Sequence, residues 1–549
     1  MGYQGERGGS GSGVLGHRGR GKFSRAAFFA LALGPLATAQ APEPFAPGER
    51  WQQGPAAGQS WLPRDLALAL DGDLLIVGAS GTHSRSLLLG GQLEWDGSAS
   101  QPVLADFPSV HGSAAPLSVE ATGGWLFELA QPVTGPRVLT ARLAHQPAAI
   151  AWTQNLSVSP SGPASASAFG GGPALLSAAP LGSRLALAEL DGLSGSIRLR
   201  VLLRETGALV FEQILPGTSL RALALSDDGQ RLLLQSGQDL RIFDGSGQLL
   251  HAEALGFAPT AVALSGDGTH VAYGLFGAIG RLAGGSAGYA ALPLLQGRSG
   301  YTPTALDLSR DGTRLAAGWW RYTDGRAVDL SFYELDADPP VETLLAGQDA
   351  PGASLQNQVA DCALDATGDR AAFGLWGTGD SAPEVLLFDT LGRSTLLEVD
   401  LPGSVMSLDL SADGERLAIG AKDVHSNQAG SSGRVHLYSA GTADQVLRRT
   451  LQPGLDSTVQ FSAPGSTAAV LLVGEPGPGL ALPGVSGPLN VNLAAPWFAI
   501  PMIQSAPGEY RLELAPQVGW LGLDLAFQGV GLGPVGLRLA STRLEPPVF

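Results

Sequence analysis

The stretch Leu-Ser-Asp-Asp-Gly-Gln-Arg-Leu at residues 225–232 decides the fold, because the chain repeats it. Close copies begin at residues 264, 308 and 410, and a weaker copy, Leu-Asp-Ala-Thr-Gly-Asp-Arg, occupies residues 364–370. In chain order, the turn glycines of these five copies are 39, 44, 56 and 46 residues apart. A period of this length is typical of a β-propeller, in which each repeat forms one four-stranded sheet.

Each copy predicts a hairpin, because an Asp-Gly turn between two apolar strands favours the positive φ that glycine adopts easily. Comparable strand–turn–strand patterns lie near residues 66–78, 117–130, 164–178, 221–234, 261–273, 304–317, 360–374 and 405–420. The third is centred on the glycines at 170–172. Helical spacing of apolar residues is not sustained over any long stretch, so little helix is expected. The sequence therefore predicts an all-β fold with a seven- or eight-bladed β-propeller over residues 61–455.

The apolar composition explains why such sheets would assemble. Hydrophobic residues make up 44% of the chain, whereas charged residues make up only 15%. A four-stranded sheet with two apolar faces cannot cover them itself, and neighbouring blades in a closed ring cover both. At about 25 cal/mol per Å2 of apolar area removed from water, contacts between blades should dominate stability.

After the last copy the pattern changes. Residues 456–549 carry no further Asp-Gly phrase of this kind, and apolar residues alternate at Tyr510, Leu512 and Leu514 and again over 521–527. We expect a separate small C-terminal antiparallel β module, with the form of a sandwich.

The first 39 residues have the form of a secretory signal peptide. Four basic residues within 18–25 precede an apolar run over 26–36, and Ala-Thr-Ala at 37–39 is a small-residue cleavage signal. Residues 40–60 are rich in Pro, Ala, Gly and Gln and are interpreted as a flexible linker. The run is about half the roughly 20 residues that a membrane span needs. We therefore expect a protein that is secreted, periplasmic or part of the cell envelope, with no transmembrane segment after cleavage.

Charge and cysteine content exclude several classes of function. The formal charge is −16 with no basic stripe, which disfavours nucleic acid as a partner. Cys362 is the only cysteine, so no internal disulfide can form, and its apolar surroundings predict a buried thiol. No histidines stand at metal-ligand spacing, and Gly-Gly-Ser-Ala-Gly at 284–288 lies in a predicted turn of a blade. The sequence predicts no cofactor, no metal and no catalytic residues.

The repeated phrase resembles known families of blades. Leu-Ser-x-Asp-Gly-x-x-Leu is similar to the inner hairpin of WD-repeat-like and TolB-like propellers, and residues 69–79 and 406–438 resemble the FG-GAP blades of secreted bacterial propellers. The resemblance implies the propeller fold and a bacterial envelope or exterior location. The copies of the phrase lack the Gly-His and Trp-Asp dipeptides of WD repeats. They also lack the calcium loops of integrin-type blades, so the resemblance does not imply a calcium site.

One surface combines aromatic and polar residues. Three loops, each following a glycine at the end of a second strand, should emerge on one face beside the channel, where such residue types bind protein, peptide or carbohydrate. The alternative is that the tryptophan rings pack between blades. The candidate ligand-binding residues are Trp319, Trp320, Tyr322, Trp376, Asp423, His425 and Asn427.

These observations favour an exported, non-catalytic propeller that acts, as a monomer, as a binding or protein-interaction scaffold. The alternative is a propeller enzyme, such as a lactonase-like hydrolase or a polysaccharide lyase, with polar side chains from several blades converging at the central channel. A third reading is a structural envelope component in which the C-terminal module docks or sorts the protein.

Overall fold

Each repeat of the sequence forms one four-stranded antiparallel sheet, or blade, in the computed structural model of the protein. The structure describes the following residues: 48–53, 61–69, 75–81, 85–89, 105–108, 115–122, 125–131, 136–143, 150–156, 173–191, 194–285, 288–379, 382–412, 414, 416–430, 432–439, 445–447, 457–462, 468–474, 476–481, 485–486, 488–491, 497–506, 509–514, 526–533 and 536–539. The predicted signal peptide lies outside them.

The first strand, β1 (Gly48–Gln53), belongs to the last blade, and the first four blades follow in chain order. Blade 1 holds β2 (Trp61–Leu68), β3 (Leu75–Gly81), β4 (Arg85–Leu89) and β5 (Ala105–Pro108). Blade 2 holds β6 (Ala115–Thr122), β7 (Trp125–Gln131), β8 (Val138–Leu143) and β9 (Ile150–Asn155). Blade 3 holds β10 (Ala174–Ala178), β11 (Arg184–Asp191), β12 (Ser196–Leu203) and β13 (Leu209–Pro216). Blade 4 holds β14 (Ala222–Leu225), β15 (Arg231–Ser236), β16 (Asp239–Asp244) and β17 (Leu249–Ala254).

The next four blades have the same strand order. Blade 5 holds β18 (Val262–Leu264), β19 (His270–Leu275), β20 (Ala278–Gly285) and β21 (Gly288–Gln296). Blade 6 holds β22 (Tyr301–Leu308), β23 (Arg314–Arg321), β24 (Ala327–Glu334) and β25 (Val341–Asp349). Blade 7 holds β26 (Val359–Leu364), β27 (Arg370–Leu375), β28 (Val385–Asp389) and β29 (Ser394–Val399). Blade 8 holds β30 (Val405–Leu410), β31 (Arg416–Lys422) and β32 (Gly433–Ser439), with β1 as its outer strand.

The blades close into a ring. The innermost strand of each blade contacts the innermost strand of the next, and β30 of blade 8 contacts β2 of blade 1. The seam is also closed in sequence, because β1 pairs antiparallel with β32, from Gly48 opposite Ser439 to Gln53 opposite Val435. The prediction of an all-β propeller is confirmed, and the described residues form eight blades. The segment 40–60, which the sequence predicts to be a flexible linker, contains the strand β1. This strand forms because its backbone pairs with β32 at the outer edge of blade 8.

Apolar contact between blades forms the core. Eight hydrophobic clusters each combine residues of two adjacent blades, one at every interface around the ring. Cys362 lies in the cluster between blades 6 and 7 and is buried, as predicted, and burial raises the pKa of its thiol. The interfaces therefore hold the apolar surface that single sheets cannot cover.

The repeated phrase forms the turn between the first two strands of a blade. In blade 4, the fully buried Ser226 hydroxyl donates to Asp228 Oδ1 at 2.7 Å and accepts the Arg231 N–H at 2.9 Å. In blade 7 the hydroxyl and carboxylate residues have exchanged positions. Asp365 occupies the position of the serine, and the hydroxyl of Thr367 donates to it at 3.3 Å. The weaker sequence copy thus keeps the same turn with donor and acceptor interchanged.

Successive turns are joined to one another on the face of the ring that carries them, which we call the hairpin face. Backbone hydrogen bonds run from Asp267 N–H to Arg310 O, from Arg310 N–H to Ala366 O and from Ala366 N–H to Ala412 O, at 2.8 to 3.0 Å. Arg310 also reaches past blade 5 to Asp227 of blade 4, with Nε donating to Oδ2 at 2.5 Å. The backbone bonds link the turns of adjacent blades, and the Arg310–Asp227 contact links blades 6 and 4.

The basic residue that begins the second strand of blades 3 to 7 has a structural role that the sequence pattern does not reveal. Its side chain lies against the turn glycine of the following blade, and each of these glycines has a φ between 68° and 73°. The pairs are Arg184 with Gly229, Arg231 with Gly268, His270 with Gly312, Arg314 with Gly368, and Arg370 with Gly414. The glycine therefore serves two needs, the left-handed turn conformation and the close approach of the neighbouring blade.

One further expectation, the position of the third hairpin, differs from the structure. The third hairpin was expected around 170–172, which lies outside the described residues, and the first two strands of blade 3 are instead Ala174–Ala178 and Arg184–Asp191. The turn between them contains Pro180 and no Asp-Gly pair, so sequence pattern misplaced it.

The C-terminal module consists of further β-sheet. One sheet pairs β33 (Gln445–Leu447), β34 (Ser457–Ser462), β41 (Glu509–Leu514) and β40 (Ile503–Ala506). A second joins β37 (Val485–Ser486), β43 (Gly536–Leu539), β42 (Ala526–Gly533), β35 (Ala468–Gly474) and β39 (Trp497–Pro501), with β37 and β43 parallel. A third pair is β36 (Pro476–Ala481) with β38 (Pro488–Val491). The part of the chain that the structure describes contains no α-helix, and so none long and apolar enough to cross a membrane.

The paired glycines lead to a stability prediction. Gly312→Ala places a Cβ 2.7 Å from His270 Cβ, in addition to forcing alanine into a φ of 68°. Gly352→Ala is the matched control, because its φ is 89° and no atom lies within 4 Å of the added Cβ. The left-handed conformation costs about 1 to 2 kcal/mol in either variant.

We expect Gly312→Ala to lower the free energy of unfolding by at least about 1 kcal/mol more than Gly352→Ala, because only the former disturbs a blade interface. Urea unfolding followed by circular dichroism measures the difference. Equal losses would contradict the interface role of the basic side chain.

Candidate functional site

The face opposite the hairpin face, here called the loop face, carries the loops between second and third strands and those that lead into the next blade. The three loops that the sequence predicted as a binding face follow β23, β27 and β31 of blades 6, 7 and 8. The structure brings them to this one face because each begins at the same end of a second strand. Their side chains, however, differ sharply in accessibility.

Two of the predicted tryptophans lie between blades instead of at loop tips. Trp319 is only 2% exposed and belongs to the cluster between blades 5 and 6. Trp320 is half-buried against the cluster between blades 6 and 7. They remain part of strand β23, which extends to Arg321, and successive residues of a strand point to opposite faces. Both rings therefore fill the two blade interfaces.

Trp376 and His425 join blades 7 and 8. Trp376 is 7% exposed, and its ring meets that of His425 edge-on at 6.3 Å. His425 Nδ1 accepts the Asn427 N–H at 3.1 Å, so its Nε2 carries the proton and donates towards Gln356 O at 2.8 Å and Gly377 O at 3.0 Å. With 4% of its surface exposed, His425 is held in this network of backbone contacts.

The remaining predicted residues lie nearer the surface. Asn427 is exposed and donates through Nδ2 to Gln356 Oε1 at 3.1 Å, while the half-buried Asp423 lies 3.4 Å from Arg434 Nε. Tyr322 is 44% exposed. Of the seven predicted residues, Tyr322 and Asn427 are therefore the most accessible to a ligand, and whether the face binds one stays a prediction.

Two exposed phenylalanines on the loop face, next to the predicted Tyr322, are not among the residues that the sequence predicted. Phe257 and Phe276 are 63% and 57% exposed, and their rings meet edge-to-face at 5.8 Å. Phe276 meets Tyr322 in the same manner at 5.7 Å. We call Phe257, Phe276 and Tyr322 the aromatic triad. Phe276 follows the second strand of blade 5, the position that the tryptophan loops occupy in later blades, so the same positional rule would have found it.

The backbone that carries the triad is fixed by hydrogen bonds between blades. Gly277, directly after Phe276, has a φ of 74° and donates to Tyr301 O of blade 6 at 2.9 Å. The Tyr322 N–H donates to Gly300 O at 3.0 Å. The triad thus combines residues from two blades on a short, constrained backbone.

Charged residues lie next to Tyr322 in sequence, at Arg321 and Asp324. Arg321 bonds to both Asp324 and Asp349, which raises the pKa of its guanidinium, and the contact with Arg321 lowers the pKa of Asp324. The backbone around Phe257 and Phe276, residues 255–261 and 276–277, contains no charged residue. The triad is therefore an apolar patch with a polar rim along one edge.

The central channel is bordered by a second group of functional interest, three aspartates on innermost strands. Asp307 Oδ2 accepts the Leu364 N–H of the next blade at 2.7 Å, and Asp361 Oδ2 accepts that of Leu408 at 3.0 Å. Asp409 Oδ2 accepts the Leu68 N–H across the ring seam at 2.7 Å. The other oxygen of each carboxylate accepts the N–H of the residue that follows it in sequence. We call these contacts inner-edge caps, because an innermost strand has no further strand on its channel side.

Burial raises the pKa of one of these carboxyl groups, that of Asp307. Removal from water raises the pKa of Asp307 to about 7, and the nearby Asp361 charge adds to this, whereas the two backbone N–H donors lower it. A pKa near neutrality at a channel is one mark of an acid or base group in catalysis. Among the described residues, no three His, Cys, Asp or Glu side chains are grouped as metal ligands would be.

Comparison with known proteins finds similarity to solved structures alone. No protein-family profile and no curated protein matches this chain. The solved structure of the Dos1 propeller is similar over 72% of this chain and 96% of that chain, with 11% sequence identity and a TM-score of 0.48. The strand topology described above identifies the propeller fold independently of that similarity.

The raised pKa of Asp307 predicts a pH dependence of stability. Between an ordinary pKa of about 3.9 and the folded value of about 7, the folded protein binds a proton that the unfolded chain releases. The contribution of this group is therefore largest below pH 4 and is lost as the pH rises to 7, by at most about 4 kcal/mol.

Asp307→Asn keeps one oxygen acceptor and removes the charge, so we expect a flatter dependence of the unfolding free energy on pH between 4 and 7. Urea unfolding at a series of pH values measures it, with the exposed turn residue Asp336 changed to Asn as control. Parallel curves for the wild type and Asp307→Asn would contradict the assignment.

Proposed function

We propose that this protein is an exported, non-catalytic β-propeller that binds a partner protein through its loop face in a bacterial envelope or exterior. The fold supports an interaction scaffold, since rigid rings present loops from several blades on one face. The basic and apolar leader with its small-residue cleavage signal supports export. The resemblance of the blades to WD-repeat-like, TolB-like and FG-GAP propellers supports the same class.

The observation that carries the proposal is the aromatic triad. Aromatic side chains dominate the energetics of protein interfaces, and soluble proteins seldom leave three large rings together in water without use. The backbone hydrogen bonds of Gly277 and Tyr322 fix the main chain that carries two of the rings, which lowers the entropy cost of ordering these loops on association. A rigid apolar patch with a polar rim has the organisation of a protein-binding surface.

The non-catalytic part of the proposal is supported by the state of the channel carboxylates. In Asp307, Asp361 and Asp409, one carboxylate oxygen accepts an N–H of the next blade, and the other accepts the N–H of the residue that follows in the same strand. A carboxylate that accepts two backbone N–H groups is held against the strands, and its oxygens are less available to contact a substrate. The groups that converge beside the channel therefore support ring closure.

Site-specific photocrosslinking tests the partner protein. We expect benzoylphenylalanine at Tyr322 to give a covalent protein adduct in cells that produce the chain, because the residue lies in the binding surface. The same amino acid at Leu391, which is 60% exposed on a turn of the hairpin face, is the matched control. Gel shift and mass spectrometry identify the adduct. Absence of an adduct at Tyr322, or equal adducts at both positions, would contradict the proposal.

The enzyme alternative, a lactonase-like hydrolase or polysaccharide lyase at the channel, is favoured by one observation, the pKa of about 7 at Asp307. If it were correct, the purified protein would turn over a lactone or an acidic polysaccharide, and Asp307→Asn would reduce kcat by about 100-fold or more. We expect no turnover above that of the buffer. Turnover that survives in a folded Asp307→Asn protein would exclude this aspartate as its acid or base.

A further inference from the structure

The aromatic triad limits the kind of partner that fits the loop face. We infer that its occupant is a short, net-positive segment of a partner protein that packs large apolar side chains against the exposed rings of Phe257, Phe276 and Tyr322. This inference rests on the proposed function and adds the chemistry of the partner.

Ring geometry supports packing of apolar side chains on the triad. The planes of Phe257 and Phe276 are 89° apart, and those of Phe276 and Tyr322 are 82° apart. Rings that meet edge-to-face form an uneven apolar surface instead of a flat platform. Aliphatic or aromatic side chains of a partner can pack against the exposed ring faces and edges.

The surroundings of the two phenylalanines disfavour a carbohydrate. A sugar ring needs hydrogen-bonding groups around the aromatic surface to satisfy its hydroxyls. Residues 255–261 beside Phe257 are Leu-Gly-Phe-Ala-Pro-Thr-Ala, and a glycine follows Phe276, so polar side chains are scarce there. Buried hydroxyls would remain without partners on that side, whereas apolar side chains would not.

The exposed area argues for a segment and against a second copy of this chain. An aromatic side chain offers roughly 200 Å2, so the three rings, at 63%, 57% and 44% exposure, leave on the order of 300 Å2 open. A stable dimer needs about 800 Å2 from each partner. Two copies would also each carry a formal charge of −16. A short segment with a few anchor residues matches the size of the patch.

Charge complementarity sets the sign of the net charge that the segment carries. The total charge of −16 attracts net-positive chains over a distance and repels acidic ones. Close to the triad the charges nearly balance, since Asp324 and Asp349 lie opposite Arg321 and the neighbouring Arg326. The attraction is therefore long-range, and a cation that reaches the ring faces gains a further contact with their π systems.

Selection of a random displayed peptide library against the purified chain tests the inference. We expect enriched peptides to carry at least two large apolar residues together with a net positive charge. For a synthetic copy of the most enriched peptide, calorimetry should show at least tenfold weaker binding to Phe276→Ser than to the wild type. Leu391→Ser, a similarly exposed apolar residue on the hairpin face, should bind like the wild type, and affinity should fall with added salt.

Several outcomes would overturn the inference: no enrichment, acidic or polar consensus sequences, or unchanged affinity of Phe276→Ser. Circular dichroism melting shows whether each variant is folded. If Phe276→Ser does not fold, Tyr322→Ser repeats the binding measurement at a second ring. The photocrosslinking experiment separates the two levels of proposal. An adduct at Tyr322 together with failed peptide selection would retain the partner protein and reject its assigned chemistry.

Discussion

The structure depends on covering two kinds of surface on every four-stranded sheet, the apolar faces and the inner backbone edge. Adjacent blades cover the faces, and each interface holds one hydrophobic cluster. The inner edge has no neighbouring strand, and an unpaired buried N–H costs about as much as a lost hydrogen bond. Asp307, Asp361 and Asp409 supply the missing acceptors from the preceding blade. The same contacts therefore satisfy the backbone and fix each blade to the next.

Ring closure extends this principle to the chain termini of the propeller. Blade 8 takes its outer strand from Gly48–Gln53, so the last sheet is completed by the beginning of the described chain. On its inner side, Asp409 caps Leu68 of blade 1. The seam is thus held at both edges of the sheet and by the apolar cluster between blades 8 and 1. A ring closed in this way tolerates weak copies of the repeat, such as that of blade 7, because its neighbours support each blade on both sides.

The use of aromatic residues distinguishes core from surface on the loop face. Trp319 and Trp376 stand in loops or strand ends that resemble a ligand site in sequence, yet both are buried. Phe257 and Phe276 lie in short loops whose sequences do not resemble a ligand site, yet both are exposed and form the triad with Tyr322. An aromatic residue in a loop sequence therefore does not show where its ring lies. The ring packs between blades in some loops and is exposed to solvent in others. The exposed group is the one from which a binding function can be argued.

The sequence by itself determined the all-β propeller, because turn chemistry and apolar alternation act over a few residues and recur at each repeat. It also indicated the buried cysteine and the face on which the candidate loops emerge. It did not place the first hairpin of blade 3, whose turn lacks the Asp-Gly pair, nor the strand within 48–53, whose partner β32 lies almost 400 residues away in sequence. Only the tertiary structure decided which aromatic rings are exposed and which aspartates cap the inner edge. The physical reason is that both properties belong to the space between two blades, and neighbouring blades are brought together by folding and not by adjacency along the chain.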